Sequence, residues 1–124
     1  MKTIVIFLFA FALVSFPVRA DQIDFHPGSF ASAKNEASKS QKPLLVAFTA
    51  SWSSSCRRMQ QLVFTNNKLA EYVNPRYVSL QVDVDDFDGL ALKERYRIKE
   101  LPTLLVFDEK GNFLSRSEGE MTAD

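Results

Sequence analysis

The run Leu44-Leu45-Val46-Ala47-Phe48 constrains this chain more than any other segment. It has the length of one strand and lies between the turn Gln41-Lys42-Pro43 and a polar stretch. A strand with no alternation is apolar on both faces, so both must be covered. The flanking segments read as the covers. Ser29 is placed to cap a helix running to about Lys39, with Phe30, Ala33 and Ala37 on one face. In Ser53 to Thr65, Met59, Leu62 and Val63 recur at helical intervals. Leu69 to Val73 reads as a second helical stretch, predicted to stop at Asn74-Pro75, because a residue before proline avoids the helical region. Gly89 to Tyr96 reads as a further helix.

The remaining strands are a short Ile23-Asp24-Phe25, broken by Pro27-Gly28, then Arg76 to Asp83, Thr103 to Phe107 and Phe113 to Ser117. The last two flank the turn Glu109-Lys110-Gly111-Asn112. Strands separated by helices, followed by a hairpin, imply an α/β fold with a mixed sheet and helices on both faces.

The first twenty residues read as something other than this domain. Lys2 supplies a positive start, Ile4 to Phe16 is almost wholly apolar, and Pro17-Val18-Arg19-Ala20 places small residues at the −3 and −1 positions. The expectation is a signal peptide over residues 1–20, cleaved before Asp21, with the folded domain over 21–124. The apolar run is shorter than the ~20 residues a spanning helix needs, so an uncleaved anchor is the lesser alternative. An exported protein follows, periplasmic or secreted, with no stable membrane span after cleavage. Without Lys2 and Arg19 the domain carries 13 basic and 15 acidic side chains. No basic stripe remains, which argues against nucleic acid as a partner. About a hundred residues can bury a core without covalent staples.

The chain has one cysteine, Cys56, and one histidine, His26, so it can form no internal disulfide and cannot fill a structural zinc tetrahedron. Asp83-Val84-Asp85-Asp86-Phe87-Asp88-Gly89 invites a calcium-loop reading but fails on register, since counting from Asp83 puts Asp88 where the loop needs glycine. It reads instead as a strand end followed by helix-capping aspartates. Neither a metal nor a cofactor is expected.

Three separated motifs carry a resemblance. Lys42-Pro43-Leu44-Leu45-Val46, Phe48-Thr49-Ala50, Trp52-Ser53-Ser54-Ser55-Cys56 and Met59 form the first; Leu101-Pro102-Thr103 the second; Asp108-Glu109-Lys110-Gly111-Asn112 the third. In this order they resemble the thioredoxin-like family, and in particular exported thiol:disulfide interchange domains, over about Phe30 to Gly119. The resemblance implies the thioredoxin-like fold. It also implies a redox site at the strand-to-helix junction, a cis-proline loop at Pro102, and contacts with an extended peptide or a thiol-containing partner protein through Trp52, Ser54, Ser55, Leu101, Pro102 and Thr103.

The active motif departs from the family pattern, in which the first cysteine of C-x-x-C attacks a disulfide and the second resolves the mixed disulfide. Ser53 occupies the attacking position and Cys56 the resolving one. A serine hydroxyl needs a base to act as a nucleophile, and His26 lies far off in sequence, so Ser53 reads as a helix cap. Many family members carry a buried acid on the central strand, and Ala47 stands at that position here. Cys56 has two readings. The first helical turn and the adjacent Arg57 and Arg58 favour a reactive thiol that forms mixed disulfides, whereas burial against the strand favours an inert apolar residue. Trp52 reads either as a substrate-facing platform or as a half-buried cover for its loop.

The leading expectation is an exported member of the thiol-disulfide exchange family with a degenerate S-x-x-C site, binding without autonomous turnover. The alternative is an oxidoreductase using Cys56 as a monothiol, or an ordinary C-x-x-C enzyme carrying a substitution at Ser53. Thr122 has the character of a helix cap with only Ala123 and Asp124 after it. A closing helix is therefore expected in a longer gene product, or else a sheet face is left open to a partner.

Overall fold

The computed structural model describes residues 21–123, so the leader expected over 1–20 lies outside the described residues. The elements run α1 (Phe30–Ser40), β1 (Leu44–Thr49), α2 (Ser54–Leu62), α3 (Asn67–Arg76), β2 (Val78–Asp83), α4 (Phe87–Arg95), β3 (Thr103–Phe107) and β4 (Phe113–Glu118). The four strands form one mixed sheet in the order β2-β1-β3-β4. β1 and β2 are parallel, and the other two pairings are antiparallel. The Ile23–Phe25 strand shrinks to a single bridge between Phe25 and Ser79.

Alternation along the central strands sorts their side chains into two apolar clusters. Leu44, Val46 and Phe48 of β1 pack with Leu80, Val82, Leu105 and Phe107, against Ala33 and Ala37 of α1 and Leu92 of α4. Leu45 and Ala47 face the other way, toward Met59, Val63, Phe64, Ala70 and Val73. β1 is thus covered on both faces, as its unbroken apolar run requires.

Several boundaries differ from the sequence pattern, among them the start of β2, which is Val78 because α3 takes Arg76. α2 ends at Leu62, not Thr65: the N–H groups of Val63 and Phe64 both turn back to the Met59 carbonyl at 2.8 and 2.9 Å. That turn buries Val63 and Phe64 and leaves Leu62 68% exposed. α3 runs on through Pro75 to Arg76. The proline forfeits one bond near the helix end, where Tyr77 N–H still reaches the Val73 carbonyl at 2.9 Å and the Arg76 guanidinium caps the Tyr72 carbonyl at 2.8 Å. Asn74 is held from outside: its Oδ1 accepts from Asp24 N–H and its Nδ2 donates to the Gln22 carbonyl. α4 starts two residues before Gly89, with Asp86 at its N-cap position.

The β3–β4 turn is knotted by Asp108, whose carboxylate accepts from the backbone N–H of Lys110 and of Asn112 and from Asn112 Nδ2. The Asn112 backbone bond is the main reason this carboxyl sits below its usual value. Its contribution is present above the ordinary aspartate range and is lost as pH falls through the lowered value. After β4 the chain lies along the α2 face: Met121 packs against the second cluster, and Arg58 pairs with Glu120. Thr122 opens no helix among the described residues.

The start of α4 presses on the end of β2 at Gly89, where a Cβ would overlap the Asp83 carbonyl oxygen and stand 3.3 Å from Val82 Cγ1. Helix propensity alone makes Gly89→Ala stabilising by about 1 kcal/mol. The overlap reverses the sign, and a loss of about 1–3 kcal/mol is expected in urea unfolding. A more stable variant would show that α4 does not bear on the strand.

Candidate functional site

The site gathers at one end of the sheet because the strand directions bring it there. β1 runs into Ala50 and the short turn through Ser51 to Ser53 that opens α2, and its parallel partner β2 ends level with it at Asp83, which pairs with Thr49. β3 runs the opposite way and begins at Thr103, opposite Phe48. Its preceding loop, with Leu101 and Pro102, therefore sits at the same end. The Leu101–Pro102 peptide bond is cis.

Ser53 has extended backbone geometry and its Oγ accepts from Cys56 N–H at 3.2 Å, so it is the N-cap of α2. Its side chain is nearly enclosed, with the residue 9% exposed. Ser54 is exposed, and Ser55 Oγ lies 3.4 Å from Arg58 Nη2. Cys56 is 4% exposed and free of any disulfide. A cavity of about 390 Å³ nevertheless reaches it, walled by Thr49, Ala50, Ser51, Arg57, Gln60, Gln81, Asp83 and Asp86. Gln81 Nε2 donates to Thr49 Oγ1 at 3.3 Å on this wall. Arg57 Nη1 donates to the Ser51 carbonyl at 2.9 Å, which ties the turn to the helix it precedes.

Trp52 is 65% exposed, which sets aside the half-buried reading of its ring. Its Nε1 donates to Asp85 Oδ2 at 2.9 Å, so the indole is anchored at its polar edge while its faces stay open. Leu101 is partly exposed, but Pro102 and Thr103 are buried. Thr103 Oγ1 turns inward to the Glu100 carbonyl at 2.6 Å. From the proline loop, then, a peptide could meet backbone groups and Leu101, not the Thr103 hydroxyl. Ala47 is fully buried in the second apolar cluster. His26 pairs with Ser32 Oγ at 2.9 Å and lines a separate cleft with Tyr77 and Asn74, so nothing joins it to Ser53. Among the described residues no cluster of His, Cys, Asp and Glu could hold a metal ion.

The residues that sequence reasoning did not connect to the site are Gln81, Asp85 and Asp86. Asp83 to Asp88 stands out in the sequence, but as a turn with capping aspartates. In the structure Asp83 Oδ1 accepts from Asp85 N–H, and Asp86 occupies the N-cap position without a side-chain cap bond. Only the parallel β1–β2 register shows that these carboxylates stand beside Cys56 and Trp52.

The family model for the thioredoxin-like domain matches residues 30–124, and the chain belongs to that family. It is similar to the thiol:disulfide interchange protein DsbD of Campylobacter jejuni, with 27% identity over 97 residues, 77% of this chain and 17% of that protein. It is also similar to the chloroplastic thioredoxin Y of Oryza sativa subsp. japonica, with 29% identity over 77% of this chain and 54% of that protein. The chain therefore spans about a sixth of the one relative and about half of the other. Among solved structures, a protein from Bacteroides thetaiotaomicron proposed to be a disulphide isomerase superposes with a TM-score of 0.73 and 32% identity, covering 84% of this chain and 86% of that one. The fold is the one that thiol-disulfide oxidoreductases of this type use.

The Ser53 cap is open to direct test. Ser53→Ala removes the acceptor for Cys56 N–H and is expected to cost about 1 kcal/mol in denaturant unfolding. An unchanged midpoint would show that the hydroxyl does not hold the helix start.

Proposed function

We propose that this chain is an exported thioredoxin-fold protein of the thiol-disulfide exchange family that binds an extended peptide or a thiol-containing partner protein and does not turn over dithiol and disulfide by itself. Export rests on the leader expected over residues 1–20. Among the described residues no helix is long and apolar enough to cross a membrane. One observation carries the rest of the reading: the hydroxyl at the attacking position is spent as a helix cap, and the chain's one thiol lies behind it, 4% exposed. Exchange needs a thiolate to open a disulfide and a second to release the product. Ser53 has no base within its hydrogen bonds, and Ala47 leaves no carboxylate on the central strand to take a proton. What remains is a docking end, formed by the open faces of Trp52, the exposed Ser54, and the Leu101-Pro102 loop.

Insulin reduction in the presence of dithiothreitol tests this. The native protein is expected to leave the rate at that of the reductant alone, whereas Ser53→Cys, which restores the dithiol spacing, is expected to raise it roughly ten-fold or more. Robust turnover by the native protein would overturn the reading.

A second reading draws on the cavity at Cys56. Its thiolate would attack a disulfide R–S–S–R′, form Cys56–S–S–R and release R′–S⁻; an external thiol such as glutathione would then attack that bond, regenerate the Cys56 thiolate and carry away R as a new disulfide. Alkylation by iodoacetamide at neutral pH separates the two. Burial predicts native Cys56 to react roughly ten-fold or more slowly than in the unfolded chain. Reaction as fast as a free thiol would favour the monothiol enzyme.

A further inference from the structure

We propose that the docking end is built for a positively charged polypeptide, and that the loop leading into α4 selects it. The inference rests on the docking reading above and adds the class of partner.

Phe87 is 90% exposed at the first position of α4, and Leu90, one helical turn on, is half exposed. Neither contributes much to the core. Single exposed apolar residues are ordinary, but Phe87 follows two residues after Asp85, the carboxylate that holds the Trp52 indole, so the loop into α4 carries one exposed ring and anchors another. These apolar groups are set in negative charge. Residues 83–90 contain four aspartates and no basic residue. Asp85, Asp86 and Asp88 are exposed, and Asp83 is half-buried.

The fold consumes little of that charge. Ser29, Ser53 and Asn66 each spend their side chain on a cap bond, whereas Asp86, at the equivalent position of α4, does not. Its carboxylate stands instead on the wall of the cavity that reaches Cys56, together with Asp83. Asp86 and Asp88 also line the neighbouring 320 Å³ cleft beside Phe87. The basic residue on the Cys56 cavity wall, Arg57, is turned to the Ser51 carbonyl. A segment lying across Trp52 toward Cys56 therefore meets apolar side chains bordered by carboxylates. An apolar residue flanked by lysine or arginine complements both, and a segment rich in glutamate or aspartate is repelled.

Trp52 is the chain's one tryptophan and reports occupancy directly. The probes are two unstructured peptides, identical except that one is lysine-rich and the other glutamate-rich, each with a central phenylalanine and with serine in place of cysteine. In low salt the lysine-rich peptide is expected to shift Trp52 fluorescence at roughly ten-fold lower concentration, and the gap should close as salt is raised. The double variant Asp86→Asn with Asp88→Asn should bring the two peptides within about two-fold of each other without lowering the thermal midpoint. Phe87→Ser should weaken both peptides alike. Equal binding of both peptides, or tighter binding of the glutamate-rich one, overturns the charge preference and leaves the docking reading standing. Binding of neither peptide overturns the docking reading and this inference with it.

Discussion

The double-sided burial of β1 is the constraint on which the rest depends. A strand apolar on both faces cannot sit at an edge or against water, so two layers of helix must close over it. Leu44, Val46 and Phe48 take one layer, and Leu45 and Ala47 the other. Once β1 is central, its carboxyl end can only emerge between its neighbours. There it meets the end of β2 on one side and the start of β3 on the other. The site is the crevice that this arrangement leaves beyond the strand end, where α/β sheets commonly place their chemistry.

Ser53 separates what the scaffold needs at that crevice from what redox chemistry needs. The scaffold needs an acceptor for the orphan N–H groups at the start of α2, and a hydroxyl meets that need well. Exchange needs a thiolate at the same position, which an oxygen cannot replace at neutral pH without a base. A serine here thus serves the fold, and the proposed lack of autonomous turnover rests on the same oxygen. Ala47 follows the same logic. An acid there would have to be desolvated in a cluster of Met59, Val63 and Phe64, a cost that alanine does not carry.

Where the sequence was legible, one local signal dominated. The unbroken run of β1, the Ser29 and Ser53 caps and the Asp108 to Asn112 turn each announce themselves within a few residues. Legibility failed where distant segments decided the outcome. Pro75 reads as a helix stop, but α3 continues through it because Ala70 and Val73 are buried and Asn74 is bonded to residues some fifty positions away. Leu62 fits the helical period, yet the chain leaves the helix at that residue, and the period assigned to it a burial that Phe64 takes instead. Asp85 carries no sign in the sequence that it will anchor Trp52, because that pairing exists only after β1 and β2 align.

The same alignment explains why the two sides of the crevice differ in character. On the β3 side the chain is largely closed: Pro102 is buried, Thr103 is turned inward, and the backbone and the partly exposed Leu101 are what remain to offer. On the β2 side the chain must leave a parallel strand and start a helix within three residues, from Asp83 to Phe87. So tight a turn favours short polar side chains that bond their own backbone, as Asp83 does with Asp85 N–H. It also leaves Phe87 no core to enter, since Gly89 already brings α4 against β2. Acidic charge and an exposed aromatic ring thus share the loop whose Asp85 holds Trp52, as a consequence of topology. That pairing gives one wall of the crevice a polarity that the other lacks.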